Sequence, residues 1–186
     1  MVADIFMDNE VRMKLSEKDF EDIVTTMMPS ILKYCYGIMI NYYDAEDVAL
    51  QAFVKTYAVL DRFENVMAVK SYIYKAAYTG CIDELRSKKR YKVLIDKYES
   101  SIKENVADNG TYINETTDNN YISDELAAAL ETLTPMERAL VYGIAVEEKS
   151  YKELAEVFDK KEATLRKKYE RARKKLKTYL TGKEME

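Results

Sequence analysis

The sequence predicts an all-α protein made of two small helical domains, the first a three- or four-helix bundle and the second a helix-turn-helix unit, joined by a flexible acidic linker. Three observations predict it. Apolar residues recur at spacings of three and four through most of the chain. Only 5 Gly and 2 Pro occur in 186 residues, too little punctuation for a many-stranded sheet. Charge also divides the chain into three: residues 1–92 carry a balance of −1, residues 93–121 a balance of −4 without a long apolar period, and residues 122–186 a balance of +1, which accounts for the net −4. The middle piece contains Asp108-Asn109-Gly110-Thr111 and Asp118-Asn119-Asn120, turn-forming clusters that mark a linker.

In the first domain, Lys18 to Ile40 places Phe20, Ile23, Val24, Met27, Ile31, Leu32, Cys35, Ile38 and Met39 at helical spacing. Pro29 is expected to bend or interrupt this helix unless it begins a new one. Asp44 is the expected N-cap of the next helix, with Glu46 and Asp47 in the first turn, where the helix dipole favours acids. Its core stripe is Ala45, Val48, Ala49, Ala52, Phe53, Tyr57 and Leu60. At 100° per residue, Asp47, Leu50, Gln51 and Val54 fall on the opposite side. Apolar residues turned away from a core suit a partner-binding face, and packing against another helix of the domain would explain them equally well. A third helix is expected from about Ala68 to Lys92. It carries Tyr72, Tyr74 and Tyr78, then Ile82 and Leu85, and ends in Arg86-Ser87-Lys88-Lys89-Arg90-Tyr91-Lys92. Rings that stack on bases beside cations that follow phosphates suit single-stranded nucleic acid. Tyrosines at this spacing also serve as core, with the basic end complementing the helix C-terminus.

In the second domain, Asp124 to Leu133 reads as an amphipathic helix with Leu126, Ala129, Leu130 and Leu133 inward. Thr134 caps the next helix, with Pro135 at its first position and Glu137 completing a capping box. Ser150 and Glu153 repeat the capping box for a third helix, which buries Leu154, Ala155, Val157 and Phe158. After a turn at Asp159 to Lys161, the last helix buries Leu165, Tyr169, Ala172 and Leu176. Its outer face holds Lys160, Ala163, Lys167, Glu170, Arg171 and Lys174, with Thr164, Arg166, Lys168 and Lys175 at the margins. Ten Lys/Arg and two acids lie between Lys160 and Lys177, a local +8 on an acidic chain. That imbalance exceeds what pairing along the helix neutralises and is the electrostatic footprint of a DNA-binding helix. In a helix-turn-helix this second helix lies in the major groove.

The composition argues against other classes. With no histidine, the commonest general base and the commonest nitrogen ligand for metals are missing. No cysteine cluster, phosphate-cradling glycine loop or nucleophile elbow is present, so no catalytic residue, metal site or cofactor is expected and the chain is read as no enzyme. No apolar run reaches membrane-spanning length, and Met1 to Glu10 lacks the basic start of a signal peptide. Cys35 and Cys81 read as buried thiols of a reducing compartment, which places the protein in the cytoplasm.

Taken together, these segments resemble bacterial sigma factors of the extracytoplasmic-function (ECF) type, in the sigma-70 family. Asp44-Ala45-Glu46-Asp47-Val48 and Gln51-Ala52-Phe53-Val54-Lys55-Thr56-Tyr57 resemble the family's regions 2.1 to 2.2. Ser71-Tyr72-Ile73-Tyr74-Lys75-Ala76-Ala77 and Ile82-Asp83-Glu84-Leu85-Arg86 resemble regions 2.3 to 2.4. Leu133-Thr134-Pro135-Met136-Glu137-Arg138, Ser150-Tyr151-Lys152-Glu153-Leu154-Ala155-Glu156 and the segment Thr164 to Leu176 resemble region 4. Each piece is weak alone; their order and spacing cover nearly everything from 20 to 180. Three positions depart from the family's habit: Tyr72 stands where Trp is usual, Thr79 where Asn is usual, and Asp159 where the turn commonly has Gly.

The resemblance implies a role for each face. Asp47, Leu50, Gln51 and Val54 would grip the β′ clamp of core RNA polymerase, whose β flap is a further expected partner surface. Asn65, in the loop Phe63 to Lys70, would capture a flipped base of the −10 element. Tyr72, Tyr74, Lys75 and Tyr78 would support the opened strand, while Arg86, Lys89 and Arg90 would hold upstream phosphates. Lys160, Lys161, Thr164, Lys167, Lys168, Arg171 and Lys174 would read or clamp the −35 duplex. The linker would thread through the polymerase toward the nascent RNA, or serve as a plain tether. Family members commonly have an anti-sigma factor as a further partner, and no membrane insertion is expected. Two other functions fit the residues: a stand-alone helix-turn-helix regulator, and a sigma-like interaction protein that no longer opens promoters.

Overall fold

The computed structural model describes residues 15–102 and 123–183. The described part of the chain is built from helices alone: α1 (Glu17–Met39), α2 (Tyr42–Tyr57), a 3₁₀ turn (Leu60–Arg62), α3 (Val66–Ile102), α4 (Asp124–Glu131), α5 (Pro135–Ala145), α6 (Tyr151–Phe158) and α7 (Glu162–Lys183). The all-α expectation holds. Of the expected linker, residues 103–121 lie outside the described residues.

Ser16 starts α1 with a capping box, its hydroxyl accepting from the Asp19 N–H while the Asp19 carboxylate accepts from the Ser16 N–H at 2.8 Å. Pro29 neither ends the helix nor begins a new one. It sits inside a continuous α1, where the ring costs one backbone hydrogen bond. The helix survives because its second half is sealed: Ile31, Tyr34, Cys35 and Ile38 are fully or almost fully buried. Ile40 then closes it in the left-handed conformation, at φ 56°.

The start of α2 differs from expectation. Asn41, not Asp44, is the N-cap, and its side-chain oxygen accepts the Asp44 N–H at 3.0 Å. Asp44 sits in the first turn and forms an ion pair with Lys88 of α3. The core stripe departs from expectation at one position, while Leu60 in the 3₁₀ turn is buried as expected. Thr56 is buried, donating its hydroxyl to the Ala52 carbonyl at 2.7 Å, whereas Tyr57 is 48 % exposed. Satisfying a hydroxyl within its own helix lets Thr occupy an apolar site. The Tyr57 ring packs on Phe20 and its hydroxyl donates to Glu17 at 2.9 Å.

The stretch Phe63 to Lys70 is mostly helix and not a loop. Asn65 precedes α3, and its side-chain oxygen accepts the Ala68 N–H at 2.9 Å. At its other end α3 runs to Ile102 and not to about Lys92, so residues 93–102 are helical. Neither Pro nor Gly interrupts Cys81 to Ile102, and good helix formers such as Lys, Leu and Glu fill it.

The capping boxes expected at Thr134/Glu137 and Ser150/Glu153 are both formed. Asp159 ends α6 in the left-handed conformation at φ 50°, a geometry that Asp accepts better than most residues. Of the expected inward residues of α4, Ala129, Leu130 and Leu133 are buried, but Leu126 remains 37 % exposed. Leu126 lies in the first turn of a helix of 8 residues, and only its end packs against α7.

The two helical units pack directly on each other, α1 against α5 and α3 against α6, so that one apolar core runs through both. Within the first unit, α2 and α3 approach closely at Gly80. A Cβ added there would lie 2.8 Å from the Val48 Cγ1 atom. Gly80→Val should therefore cost about 1–3 kcal/mol by overpacking a β-branched neighbour. Gly182→Ala, with nothing within 4 Å, should change stability by no more than about 0.5 kcal/mol. Urea unfolding of both variants beside the parent checks the pair.

Candidate nucleic-acid and partner interfaces

Three outward faces carry the residues singled out by the sequence. On α2, Asp47, Leu50, Gln51 and Val54 are all exposed, Leu50 at 50 % and Val54 at 68 %. The helix turns Ala45, Val48, Ala49, Ala52 and Phe53 inward, which leaves these four on the far side. The Gln51 amide donates to the Asp47 carboxylate at 2.8 Å, fixing a polar edge beside the two aliphatic side chains. Tyr57 extends the apolar strip by one more turn, an addition that its expected core position had concealed.

The α3 face is less uniform. Asn65 and Lys75 are exposed, and Tyr72 is half-buried with its ring 5.1 Å from Phe63. Arg86, Lys89 and Arg90 are exposed, with the Arg86 guanidinium 3.6 Å from Asp83. Thr79 is exposed and donates its hydroxyl to the Lys75 carbonyl at 2.8 Å. Tyr74 and Tyr78 instead face the second helical unit. Tyr74 is only 5 % exposed, and Tyr78 packs edge-on against Phe158 with ring centroids 4.7 Å apart.

On α7, Leu165 and Ala172 are fully buried, which turns Thr164, Lys167, Arg171 and Lys174 outward; Lys160 and Lys161 are exposed in the turn before it, and Lys168 is half-buried at the margin. The sequence-derived face is thus assembled on one side of a helix that follows the α6–α7 turn. Two cations of the same helix have other duties. Arg166 lies over the Tyr151 ring, 5.0 Å from its centroid. Lys175 donates to both Glu137 carboxylate oxygens, at 3.0 and 3.1 Å. Glu137 also closes the Thr134 capping box, so one carboxylate ties the start of α5 to the flank of α7. Burial would raise the Glu137 pKa, but the Thr134 N–H, the Lys175 ammonium and the Thr134 hydroxyl outweigh it and hold the carboxyl below its ordinary value.

Sequence reasoning missed the seam between the units. The turn joining α5 to α6, with Glu148 left-handed at φ 51°, projects two side chains onto Tyr74. The Tyr74 hydroxyl donates to the Glu147 carboxylate at 2.6 Å, and the Lys149 ammonium sits 3.8 Å from the centre of the Tyr74 ring. Tyr34 adds edge-on contacts to Tyr74 and Tyr142, at 5.4 and 5.8 Å between centroids. Burial first, and then Glu147, push the Tyr74 hydroxyl far above its ordinary pKa, and burial lowers Lys149. The helical spacing of the α3 tyrosines had offered a core role, which the burial of Tyr74 bears out, but spacing does not say which side chains meet it across the fold.

No group of three or more potential metal-ligating side chains is clustered among the described residues, and no helix among them is long and apolar enough to cross a membrane.

Comparison with known proteins gives consistent results for both halves. The family model for sigma-70 region 2 matches residues 16–91, and that for sigma-70, region 4 matches residues 123–176. The chain is 33 % identical over 79 residues to the ECF RNA polymerase sigma factor SigW of Bacillus subtilis (strain 168). That alignment takes in 42 % of this chain and 42 % of the relative's length. Among solved structures, the fold is similar to the sigma factor RpoE in its complex with the anti-sigma factor NepR from Bartonella quintana, with a TM-score of 0.67. That match covers 88 % of this chain and 98 % of the other at 20 % identity.

The Glu137–Lys175 tie gives a pH prediction. Because the folded carboxyl titrates below its ordinary value, its contribution is complete above about pH 5 and disappears as pH falls through the folded value. Glu137→Gln keeps an acceptor in the capping box but removes the charge facing Lys175. Its Tm should lie roughly 2–4 °C below the parent's near neutral pH, for a destabilisation of about 1 kcal/mol. The difference should shrink below about pH 4, as followed by thermal melts across the pH range.

Proposed function

The chain belongs to the sigma-70 family, in its extracytoplasmic-function type, and from that premise we propose that it binds core RNA polymerase, recognises −10 and −35 promoter elements, opens the DNA and so initiates transcription. The observation that carries this reading is the face of α2, where Leu50 and Val54 stand exposed beside the Asp47–Gln51 pair, away from the core. Aliphatic side chains on an outer helix face favour a protein partner. The β′ clamp of the polymerase is the proposed partner here, and its β flap for the second unit. The basic face of α7 is the proposed −35 contact. There Thr164 and the early lysines face the groove, while Lys167, Lys168, Arg171 and Lys174 neutralise phosphates.

For the −10 element, Asn65, Tyr72 and Lys75 are the accessible residues, with Arg86, Lys89 and Arg90 on the upstream phosphates. Tyr74 and Tyr78, expected on the opened strand, pack instead against the second helical unit. Residues 1–92 and 122–186 are the proposed functional domains, with α3 of the first running on into the tether. An anti-sigma factor is proposed as a further partner, on the family's habit and on the complex formed by the structural neighbour. The place of action is the cytoplasm, where polymerase and promoter DNA are found.

Run-off transcription with core polymerase on fragmented genomic DNA tests the whole reading, since discrete transcripts that require this protein are expected and their absence would sink it. Two substitutions test its parts. Leu50→Asp should weaken polymerase binding at least tenfold and leave the thermal melt nearly unchanged, because the side chain is half exposed; a cooperative loss of folding would show that the face was misassigned. Lys167→Glu or Arg171→Glu should reduce the log–log salt slope of duplex binding by about 0.9 for each phosphate that is no longer neutralised. An unchanged slope in both variants would remove α7 from the DNA.

A further inference from the structure

We propose that Glu170, the one acid on the outer face of α7, is a specificity-determining residue of the duplex contact. Its carboxylate accepts a hydrogen bond from the exocyclic amino group of a cytosine in the major groove and repels guanine and thymine at the same position. The inference rests on the −35 contact proposed above for α7 and names one base-reading group within it.

The carboxylate stands among cations and pairs with none of them. Leu165 and Ala172 hold the inner side of α7, so Ala163, Lys167, Glu170 and Lys174, at spacings of four, three and four, form one exposed line along the helix. Arg166, Lys167, Arg173 and Lys174 lie three or four residues from Glu170, the spacings at which ion pairs form along a helix. No ion pair to Glu170 occurs among the described residues. Arg166 is turned to the Tyr151 ring instead, 5.0 Å from its centroid. The ten cations between Lys160 and Lys177 thus surround a free acceptor.

Against DNA such a group has one favourable place. Facing a phosphate it would repel the backbone that its neighbours attract. Over the floor of the groove it meets base edges, where cytosine presents the N4 amino group, while guanine O6 and N7 and thymine O4 are acceptors. An ionised carboxylate only accepts, so it bonds to the first and is repelled by the others. Small side chains at the start of α7, Ala163 and Thr164, both exposed, let the helix come close to the floor. The long side chains of Lys167 and Lys174 reach from the same line to the phosphates, whereas the shorter Glu170 stays over the bases. The cations therefore supply the attraction, and the acid gives up part of it in exchange for discrimination.

The test is selection of bound duplexes from a randomised library by the tagged full chain with core polymerase present, repeated with Glu170→Ala and Glu170→Lys. Because the side chain is exposed, both variants should keep the parent's helix content and thermal melt. The parent should enrich a motif in which one column prefers cytosine by roughly tenfold over guanine or thymine. Glu170→Ala should flatten that column and leave the others as they were. Glu170→Lys should turn it to guanine, whose O6 and N7 atoms a lysine recognises. A carboxylate that merely faces solvent or backbone gives a different result: both variants bind every sequence more tightly, with the motif unchanged. That outcome, or another base in the column that responds, would overturn the inference and leave the −35 role of α7 standing. A parent that enriches no motif would overturn that role, and this inference with it.

Discussion

The second half of α1 is the surface on which the rest of the molecule is assembled. Ile31, Tyr34, Cys35 and Ile38 are all but inaccessible because three helices, α2, α3 and α5, lie against the same rod. Burying large apolar side chains contributes about 1.5–3 kcal/mol each, so the buried residues together outweigh the roughly 3 kcal/mol or more that a proline inside a helix costs. This explains why a residue that ordinarily breaks helices is tolerated in the middle of this one. It also explains how one helix serves both units: Gly37 lets the Tyr142 ring approach, with only 3.1 Å between that ring and a Cβ placed at Gly37.

Much of the fold was legible because its signals are local. A hydroxyl followed three residues later by a carboxylate is sufficient to mark the starts of α5 and α6, since both partners lie within one turn. The faces of α2 and α7 were legible for a related reason, because helical periodicity separates inside from outside without knowledge of the neighbour. What was hidden required contacts distant in sequence or choices between near-equal residues. Asn41 and Asp44 are both good caps; Asn41 takes the cap, and Asp44, in the first turn, pairs with Lys88 on another helix. Thr56 displaces Tyr57 from the core because its hydroxyl can bond within the helix, a possibility that a hydropathy pattern cannot weigh. Glu147 and Tyr74 are 73 residues apart, and nothing near either one announces the other.

Charge is used in two different ways. On α7 it is concentrated and mostly left facing solvent, so its reach is long and its strength depends on salt. In the seam it is paired, partly dehydrated and short in range: one carboxylate, one ammonium and one phenol. The first arrangement attracts a polyanion from a distance. The second sets the relation between two parts of the same chain and is less sensitive to salt. Lys175 and Arg166 show both uses within one helix, since they leave the basic face to brace α7 against Glu137 and Tyr151.

The two cysteines, finally, have a practical meaning. Cys35 and Cys81 are the chain's entire complement, both are fully shielded, and the hydrogen bond that the Cys81 thiol donates to Cys35, together with burial, pushes that thiol well up. A thiol that stays protonated and out of contact with reagents reacts slowly with electrophiles. The folded protein thus behaves toward maleimides as though it had no cysteine, and a single one introduced on α2 or α7 would carry a dye there without the native pair having to be removed.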